Sequence, residues 1–332
     1  MSAPPLRQPL LQADGGPAQT SDIGPIVLMV MSELLLATCN SIVKLVGQWS
    51  SERIMLVRFV VDFCLCSSAC AYLGLRLPTS AVDLSTLFLR GLAYCSGITF
   101  FWAALRSCLP IGDVVVLVIS SSPLVLVLSA RVVLGEKIPR MWPVQMCLLI
   151  LGATLIEKPL APSAECPAST ALLPIGAASC WACMNFASRR VPHLSPVQVM
   201  LVNDVVAILF ACATALITHG SLSAASEALL PPFDGDLLLI VISAVLGWAG
   251  LMGNIRGYQT ASVAAVATVA GSTSIPFNYA YQVLLFHQQL DVFSLAGAAI
   301  VCATTIGMTV AKHLAAQRAI AAHAQEASVG KA

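Results

Sequence analysis

The sequence predicts an all-α integral membrane protein whose ten transmembrane helices form two inverted repeats of five. Three observations support this prediction: the composition, the lengths of the apolar segments and a similarity between the two halves. Of the 332 residues, 58% are hydrophobic and 10% are charged, whereas soluble domains average about 45–50% and about 25%. The first partner of such a chain is the lipid bilayer, and little sequence is left for a soluble catalytic domain.

Ten segments are apolar over roughly the length of a membrane-spanning helix. A helix needs about 20 mostly apolar residues to cross the hydrocarbon core of a bilayer, and fewer where neighbouring helices thin it. The fifth segment is short, and the eighth and ninth are nearly continuous. We place the segments at 25–43, 54–73, 84–105, 113–134, 142–156, 168–188, 197–218, 237–258, 261–286 and 292–311.

The polar material lies mainly outside these segments. Residues 1–22 are rich in Pro, Gly and Gln and lack an apolar core, which predicts a disordered tail and not a signal peptide. We expect a first repeat at 23–158, a connecting loop at 159–167, a second repeat at 168–312 and a second tail at 313–332.

The distribution of Lys and Arg predicts the orientation, because cytosolic loops carry an excess of positive charge. With ten helices both tails lie on one side of the membrane. That side collects 12 of the 17 Lys and Arg residues, which leaves four on the other side and Arg58 inside a helix. We therefore expect both termini to be cytosolic, in either the plasma membrane or an endomembrane.

The two halves are similar in sequence. Residues 50–61, SSERIMLVRFVV, align with residues 195–206, SPVQVMLVNDVV, at an offset of 145. Pro123 aligns with Pro276 at an offset of 153. Because each unit has an odd number of helices, the second unit must enter the membrane from the opposite face. Inverted repeats of this kind are typical of secondary transporters, which bind substrate near the membrane midplane.

A proline preceded by hydroxyl residues occurs at corresponding depths of the two halves. Proline frees a carbonyl one turn earlier, and in lipid a freed carbonyl needs a partner or a water-lined cavity. We expect softened helices that offer hydroxyl groups to a substrate; the alternative is a kinked packing helix whose hydroxyls bond their own backbone. The residues are Ser121, Ser122, Pro123, Ser272, Ser274 and Pro276.

Residues 89–156 contain a series of motifs: Arg-Gly opening the third helix, Asp113 opening the fourth, Ser-Ser-Pro within it, Leu-Gly-Glu-Lys closing it, and a Gly-containing fifth helix. This series resembles an EamA repeat of the drug/metabolite transporter superfamily, and the chain is similar to the G-type members of solute carrier family 35. The resemblance covers roughly residues 26–312 and is weaker in the second half, where Phe-His-Gln-Gln-Leu replaces the Leu-Gly-Glu pattern. It implies a ten-helix inverted-repeat carrier for small polar or anionic metabolites.

Polar side chains inside apolar helices are the first candidates for a binding site, because burying them in lipid is costly. The first helix carries Glu33, Asn40 and Lys44 on one face, and Asn185 of the sixth helix is the repeat counterpart of Asn40. The alternative for Lys44 is that its side chain extends to the membrane surface. Further candidates for substrate contact are Arg58, Tyr94, Trp102, Asp204, Trp248, Tyr279 and Gln282.

Each of these candidates also has a structural interpretation. Arg58 and Asp62 lie four residues apart on the second helix, which favours a structural ion pair over a role in gating or anion binding. For the aromatic candidates, packing or anchoring at the membrane surface is the alternative. Asp204 would either find a base or take a proton. A coupling proton and an exchanged metabolite are therefore open as partners besides the small-molecule substrate.

The sequence lacks the motifs that point to other classes of function. It has no Walker sequence, no Gly-x-Ser-x-Gly, no His-Glu-x-x-His and no basic aromatic stripe for nucleic acid. Cys180 and Cys183 stand without a second pair or a nearby His, so we expect no metal site and no cofactor. Cys108 and Cys166 fall in predicted outer loops and could form a disulfide in an oxidising compartment, but we expect both thiols to be free.

Together these features predict a secondary carrier that moves a small polar or anionic metabolite by alternating access, and not an enzyme. One alternative is a membrane scaffold or signalling protein that keeps the fold without transport, and a channel is another. An intramembrane enzyme is disfavoured because no pair of nucleophile and base stands out.

Overall fold

The computed structural model describes residues 23–134, 142–157, 168–188, 190–260, 263–304, 306–307 and 310. Over these residues the regular secondary structure is helical throughout, without a strand. The predicted tails at 1–22 and 313–332 and the predicted loop at 159–167 lie outside the described residues. The helices of the first half are α1 (Ile23–Leu45), α2 (Ser51–Leu73), α3 (Ala81–Leu105), α4 (Ile111–Leu134) and α5 (Trp142–Glu157).

The second half opens with a short 3₁₀ helix. Its α-helices are α6 (Leu172–Ser188), α7 (Pro196–His219), α8 (Leu222–Leu229), α9 (Gly235–Thr260), α10 (Val263–Leu284) and α11 (Val292–Thr304). Each predicted apolar segment overlaps one of these helices, so the all-α prediction is confirmed.

Within the part of the chain that the structure describes, five helices are long and apolar enough to cross a membrane, judged by length and composition. These spans are Val27–Leu45, Ser51–Leu73, Ala81–Leu105, Pro196–His219 and Gly235–Gly257. Shorter apolar stretches within the described residues are Ile111–Ser122, Met146–Ile156, Leu172–Ser188 and Val292–Thr304. The chain thus has the helices of a membrane protein, and the figure of ten spans stays a prediction.

Helix α8 was not predicted, because eight residues are too few to give a membrane-length apolar segment. The stretch lies between the predicted segments at 197–218 and 237–258. Ser221 caps a short helix there, and Ala225 in it is 3% exposed. Helix α8 packs against α7 and α2.

Local capping chemistry fixes several helix ends. Ser50 accepts a hydrogen bond from the first turn of α2, and Ser195 forms a capping box with Gln198 at the start of α7. Each cap satisfies backbone amides that the helix leaves unpaired. At their other ends α2 and α7 are closed by Gly74 (φ 63°) and Gly220 (φ 70°), a left-handed conformation that glycine adopts without steric cost.

The distribution of side chains is the reverse of that in a soluble protein. Large apolar side chains stand exposed on the outer faces of the helices, whereas six charged side chains among the described residues are buried within the bundle. Soluble proteins almost never bury charges in this way, and an apolar exterior suits lipid. The exposed apolar residues include Val60, Phe88, Leu209 and Leu238.

The two halves pack mainly against each other. The most extensive helix pairs are α1 with α9, α3 with α6, and α2 with α7, followed by α4 with α6, α1 with α10, α3 with α7, α2 with α9, and α4 with α10. Within the first half, the largest contact among the described residues is that of α4 with α5. The core is therefore an interface between the halves.

Glycines on α9 allow α1 to approach closely. A Cβ on Gly250 would lie 2.9 Å from Leu36 Cγ and 3.2 Å from the Ser32 carbonyl oxygen, and Gly253 and Gly257 are similarly covered by α1. Small residues at such positions are characteristic of helix packing in membranes, where close backbone approach provides the attraction.

Contacts between helix ends define two ends of the bundle. At one end, called here the Arg53 end, Arg53 Nε donates a hydrogen bond to the Ala228 carbonyl of α8 (2.7 Å). At the other, called the Arg76 end, Gln198 Nε2 donates to the Arg76 carbonyl (2.5 Å). Each contact joins the first half of the chain to the second.

The loop between α3 and α4 lies at the Arg53 end and carries Cys108. Cys108 is disulfide-bonded, so the expectation of a free thiol was wrong at this position. Cys166 lies outside the described residues. The physical reason for the error is that a disulfide depends on the spatial approach of two loops, which the spacing of cysteines along the sequence does not reveal.

Candidate functional site

Four buried charges, called here the charge quartet, lie inside the bundle. Arg58 and Asp62 come from α2, Arg90 from α3 and Asp204 from α7, and their exposed fractions are 2%, 0%, 2% and 0%. Charged groups are expensive within a membrane and mark functional sites by default. The quartet draws on both halves of the chain.

Helix α2 presents a polar stripe. Arg58, Asp62 and Cys66 follow one another at intervals of four residues, which places them on one helix face. The Arg58 guanidinium lies 5.4 Å from the centre of the Trp102 ring of α3. Gly247 of α9 adjoins the same guanidinium, and a side chain there would collide with it. Arg58 is thus held between an aromatic face and a glycine.

Arg90 is the fully partnered cation of the quartet. Its Nε donates to Ser188 Oγ on α6 at 2.8 Å, and its NH1 donates to Asn203 Oδ1 on α7 at 2.9 Å. Arg90 thereby joins three helices. The sequence did not identify Arg90 as a candidate, although its side chain is buried in the bundle.

The two carboxylates of the quartet have no comparable partners. Among the described residues, both oxygens of Asp62, both oxygens of Asp204 and Nε of Arg58 lack a hydrogen bond of ordinary geometry, and the Asn203 amide lies close enough to interact with the Asp204 carboxyl. Arg58 and Asp62 interact electrostatically, but no hydrogen bond joins them, and the guanidinium lies over the Trp102 ring. Asp204 lies beside Cys66 and within electrostatic reach of Asp62.

Aromatic side chains wall the quartet. Tyr94 is 5% exposed and meets the Phe59 ring edge-on, with centroids 5.8 Å apart. Trp248 Nε1 of α9 donates to Cys66 Sγ at 3.2 Å. The sequence candidates Arg58, Tyr94, Trp102, Asp204 and Trp248 are thus brought together around one place in the bundle.

A second polar group, called here the Asp113 cluster, joins α4 to α10 and α11. Tyr279 Oη donates to Asp113 Oδ1 at 2.9 Å, and Ser294 Oγ donates to Asp113 Oδ2 at 3.3 Å. Gln282 Oε1 accepts from the Gly112 amide at 3.0 Å. Tyr279 and Gln282, which the sequence indicates as candidates for substrate contact, form hydrogen bonds between helices.

Lys44 lies beside the Asp113 cluster at the Arg53 end. Its Nζ donates to the Leu109 carbonyl at 3.2 Å and lies 5.4 Å from the centre of the Phe286 ring. Lys44 is half-buried, so it does not simply extend into solvent. The sequence indicates Asp113 only as a helix-opening residue and gives no sign that it accepts hydrogen bonds from two other helices.

Glu33 belongs to a third polar group. It is 8% exposed, accepts a hydrogen bond from Asn254 Nδ2 of α9 at 3.2 Å and interacts with the Ser274 hydroxyl of α10. This group ties α1 to α9 and α10. Glu33 and Lys44 share a helix with Asn40, but the structure gives them separate partners.

The remaining candidates whose side chains are described do not join these groups. Asn40, Ser121 and Asn185 are half-buried. Ser122 Oγ donates back to the Val118 carbonyl at 2.9 Å, as in the packing alternative. Pro276 lies within α10 and is exposed. Pro123 and Ser272 lie within α4 and α10, and their side chains are outside the described part of the structure.

Comparison with known proteins shows the fold. No protein-family model matches the chain, and no curated relative matches it. Twenty-eight chains of solved structures match. One is a crystal structure of a protein that is 16% identical, with a TM-score of 0.58 over 86% of this chain and 96% of that chain. At this identity the likeness concerns the fold alone, and the resemblance to EamA repeats and solute carrier family 35 stays a prediction.

Proposed function

We propose that the chain is a secondary-active carrier of a small polar or anionic metabolite and works by alternating access. The observation that carries the proposal is the charge quartet, which both halves bury at their interface. A protein that only scaffolds others gains nothing from unpaired buried carboxylates, whereas a carrier needs polar groups inside an apolar bundle.

The pattern of helix contacts supports an EamA-type inverted repeat. In such a repeat each helix of the first half has a counterpart in the second: α1 corresponds to α6, α2 to α7, α3 to α9, α4 to α10 and α5 to α11. When every helix is replaced by its counterpart, the contact of α1 with α9 becomes the contact of α6 with α3. Likewise α4 with α6 becomes α10 with α1, and α3 with α7 becomes α9 with α2; all six pairs are present. Two copies related by an axis in the membrane plane would produce such coupled pairs. The proposed fold is therefore ten spans in two inverted repeats.

Arg58 is the proposed recognition group for the substrate. A guanidinium presents a planar fork that matches carboxylate and phosphate geometry, and charge-assisted hydrogen bonds of this kind are the strong ones. Arg90 already donates hydrogen bonds to Ser188 and Asn203. Nε of Arg58 has no partner among the described residues, so Arg58 is the cation with donors to offer.

The Asp113 cluster is the proposed gate at the Arg53 end. Alternating access requires contacts that exist in one state and break in the other. The hydrogen bonds of Asp113 with Tyr279 and Ser294 cross from α4 to the second half. In the state open at the Arg53 end, these bonds would be broken.

The Arg53 end is proposed to face the exterior or an organelle lumen, with both termini cytosolic. Disulfides persist in oxidising compartments and are rare in the cytosol, and Cys108 at this end is disulfide-bonded. The excess of Lys and Arg expected on the opposite side agrees.

Thiol labelling tests this orientation. In sealed cells, an impermeant maleimide should label Cys108 only after treatment with an impermeant reductant. A Thr79→Cys variant, exposed at the Arg76 end, should add labelling only after the membrane is permeabilised. Labelling of Thr79→Cys in sealed cells would reverse the proposed orientation.

Reconstitution tests the function. The purified protein is first screened for thermal stabilisation by nucleotide sugars, carboxylates, amino acids and nucleosides, and each hit is then measured in proteoliposomes. A carrier shows saturable uptake and counterflow, which separates it from a channel. If no compound of the panel gives counterflow, the transport proposal fails and the scaffold alternative gains support.

A further inference from the structure

We infer that this carrier moves its anion together with a proton, and that the carboxylates of Asp62 and Asp204 hold the proton as a pair. The inference rests on the proposed carrier function and names its coupling ion and the charge of its substrate. It follows from the charge balance and the partners of the quartet.

The four side chains of the charge quartet set the net charge of the buried site. Arg58 and Arg90 contribute two positive charges, and ionised Asp62 and Asp204 contribute two negative charges, so the quartet alone is neutral. Removing an unbalanced charge from water costs several kcal/mol or more. An anion that docks on Arg58 without any other change would leave the site with an excess negative charge.

Protonation of one carboxylate removes this imbalance. With one proton on the pair the site carries a net positive charge, and a bound monoanion restores neutrality. Proton and anion therefore favour each other's binding, and by linkage the effect is reciprocal. Either both are bound or neither is, which is the requirement for coupled movement.

The buried carboxylates differ in their hydrogen-bond donors. The other buried carboxylates already have donors: Asp113 accepts from Tyr279 and Ser294, and Glu33 accepts from Asn254. Among the described residues, no oxygen of Asp62 or Asp204 accepts a hydrogen bond of ordinary geometry, and the polar groups that adjoin the Asp204 carboxyl are the weakly donating Cys66 thiol and the Asn203 amide. Of the buried carboxylates, Asp62 and Asp204 thus have the fewest hydrogen-bond donors to stabilise the ionised form, and they are the ones most readily protonated.

The two carboxylates of the pair lie on neighbouring helices. Asp62 on α2 and Asp204 on α7 act on each other electrostatically across the helix interface. Two nearby carboxylates out of water cannot both ionise freely and titrate as a unit. Other polar or titratable groups facing the pair are Cys39 from α1, Arg58 and Cys66 from α2, Arg90, Tyr94 and Cys95 from α3, Asn203 from α7 and Trp248 from α9.

The transport cycle then balances. A proton binds the pair and an anion binds Arg58 from one side of the membrane, the helices exchange access, and both leave on the other side. One proton accompanies each bound anion, so movement of a monoanion is electroneutral and movement of a dianion carries one net negative charge. A pH difference of one unit then supports about tenfold accumulation of a monoanion, since a tenfold ratio is the equivalent of 1 pH unit.

The test uses proteoliposomes of the full chain with glutamate, succinate and a uridine-diphosphate sugar as anionic probes and uridine as a neutral one. Counterflow at equal pH on both sides measures the carrier function. Accumulation under an acid-outside gradient, and acidification of an internal pH dye during uptake, measure the coupling. We expect both coupling signals with an anionic probe, and their loss when an ionophore collapses the gradient.

Variants locate the proton. In the wild type, counterflow should fall as the pH rises, because the pair loses the proton that favours anion binding. Asp62→Asn and Asp204→Asn imitate the protonated carboxyl, so at least one of them should lose this pH dependence. In that variant the pH gradient should no longer drive accumulation. Glu227→Gln, which removes an exposed carboxylate on α8, is the matched control and should behave as the wild type.

The outcomes are separable. Counterflow of an anionic probe by the wild type without internal acidification overturns proton coupling and leaves the carrier in place, and this readout needs no variant to fold. Coupling that persists in both Asp variants overturns the assignment to the pair. Absence of counterflow for every probe overturns the carrier function and the inference together.

Discussion

The two arginines of the charge quartet show how much a residue's role depends on its partners. Arg90 is hydrogen-bonded to two other helices, whereas Arg58 lies against the Trp102 ring with Nε unpartnered among the described residues. Both are 2% exposed. Arg90 is therefore a group that holds helices together, and Arg58 is available to a ligand.

Arg90→Met should lower the thermal stability of the protein. The substitution removes two hydrogen bonds from a charged donor, each worth about 1.5–3 kcal/mol, and leaves Asn203 and Ser188 without this partner. A thermal melt in detergent measures the effect. Arg76→Met, whose side chain is exposed, is the control; equal melting temperatures for the two variants would contradict the structural role of Arg90.

Arg58→Lys should weaken binding of an anionic substrate without a comparable loss of stability. Lysine keeps the positive charge of the quartet but loses the planar fork. Loss of one charge-assisted hydrogen bond is worth about 1.5–3 kcal/mol, so we expect KM in counterflow to rise about tenfold or more. A KM equal to that of the wild type would remove Arg58 from the binding site.

At the scale of the helix, apolar length was enough to locate the elements, but not to orient them. The overlap of every predicted segment with a helix follows from the cost of exposing backbone groups in lipid. Which way a side chain faces depends on partners far along the chain, as with Arg90 and Asn203, which are 113 residues apart. Arg58, Tyr94, Trp102, Asp204 and Trp248 could be chosen as polar or aromatic groups within apolar helices.

The groups that the sequence missed had no such signal. Arg90 and Asp113 stand near helix ends in the sequence, where charges are ordinary, and only the packing of α3 and α4 on the second half buries them. Helix α8 is amphipathic and too short for the apolar-length criterion. The sequence also could not assign partners to Tyr279, because Asp113 lies 166 residues away.

Gly250→Ala should destabilise the contact between α1 and α9. The added Cβ would lie 2.9 Å from Leu36 Cγ and 3.2 Å from the backbone oxygen of Ser32, and overpacking of this kind costs about 1–3 kcal/mol. Gly235→Ala is the matched control on the same helix, since its Cβ would meet nothing within 4 Å. A melting temperature lowered equally by both substitutions would argue against close packing at Gly250.

For the whole molecule, the halves are bound into one packing unit. Helices α1–α4 find their main neighbours among α6, α7, α9 and α10, whereas independent domains share few contacts across their boundary. The repeats suggested by the sequence are thus units of similarity and not of separate packing.

Splitting the chain tests this conclusion. A first half ending within residues 159–167 should aggregate when it is expressed alone, because its buried faces have lost their neighbours. Co-expression of both halves should restore a monodisperse complex in size-exclusion chromatography. A well-behaved, thermally stable first half on its own would show that its helices pack without the second half.

The packing of the two halves against each other also affects how the chain inserts during synthesis. Asp62 emerges from the ribosome 142 residues before Asp204, which at roughly 5–20 residues per second is on the order of ten seconds. During that interval the polar stripe of α2 enters the bilayer without α7 and α9 to cover it. Productive insertion therefore requires that the insertion machinery shelter α2 until translation delivers its neighbours.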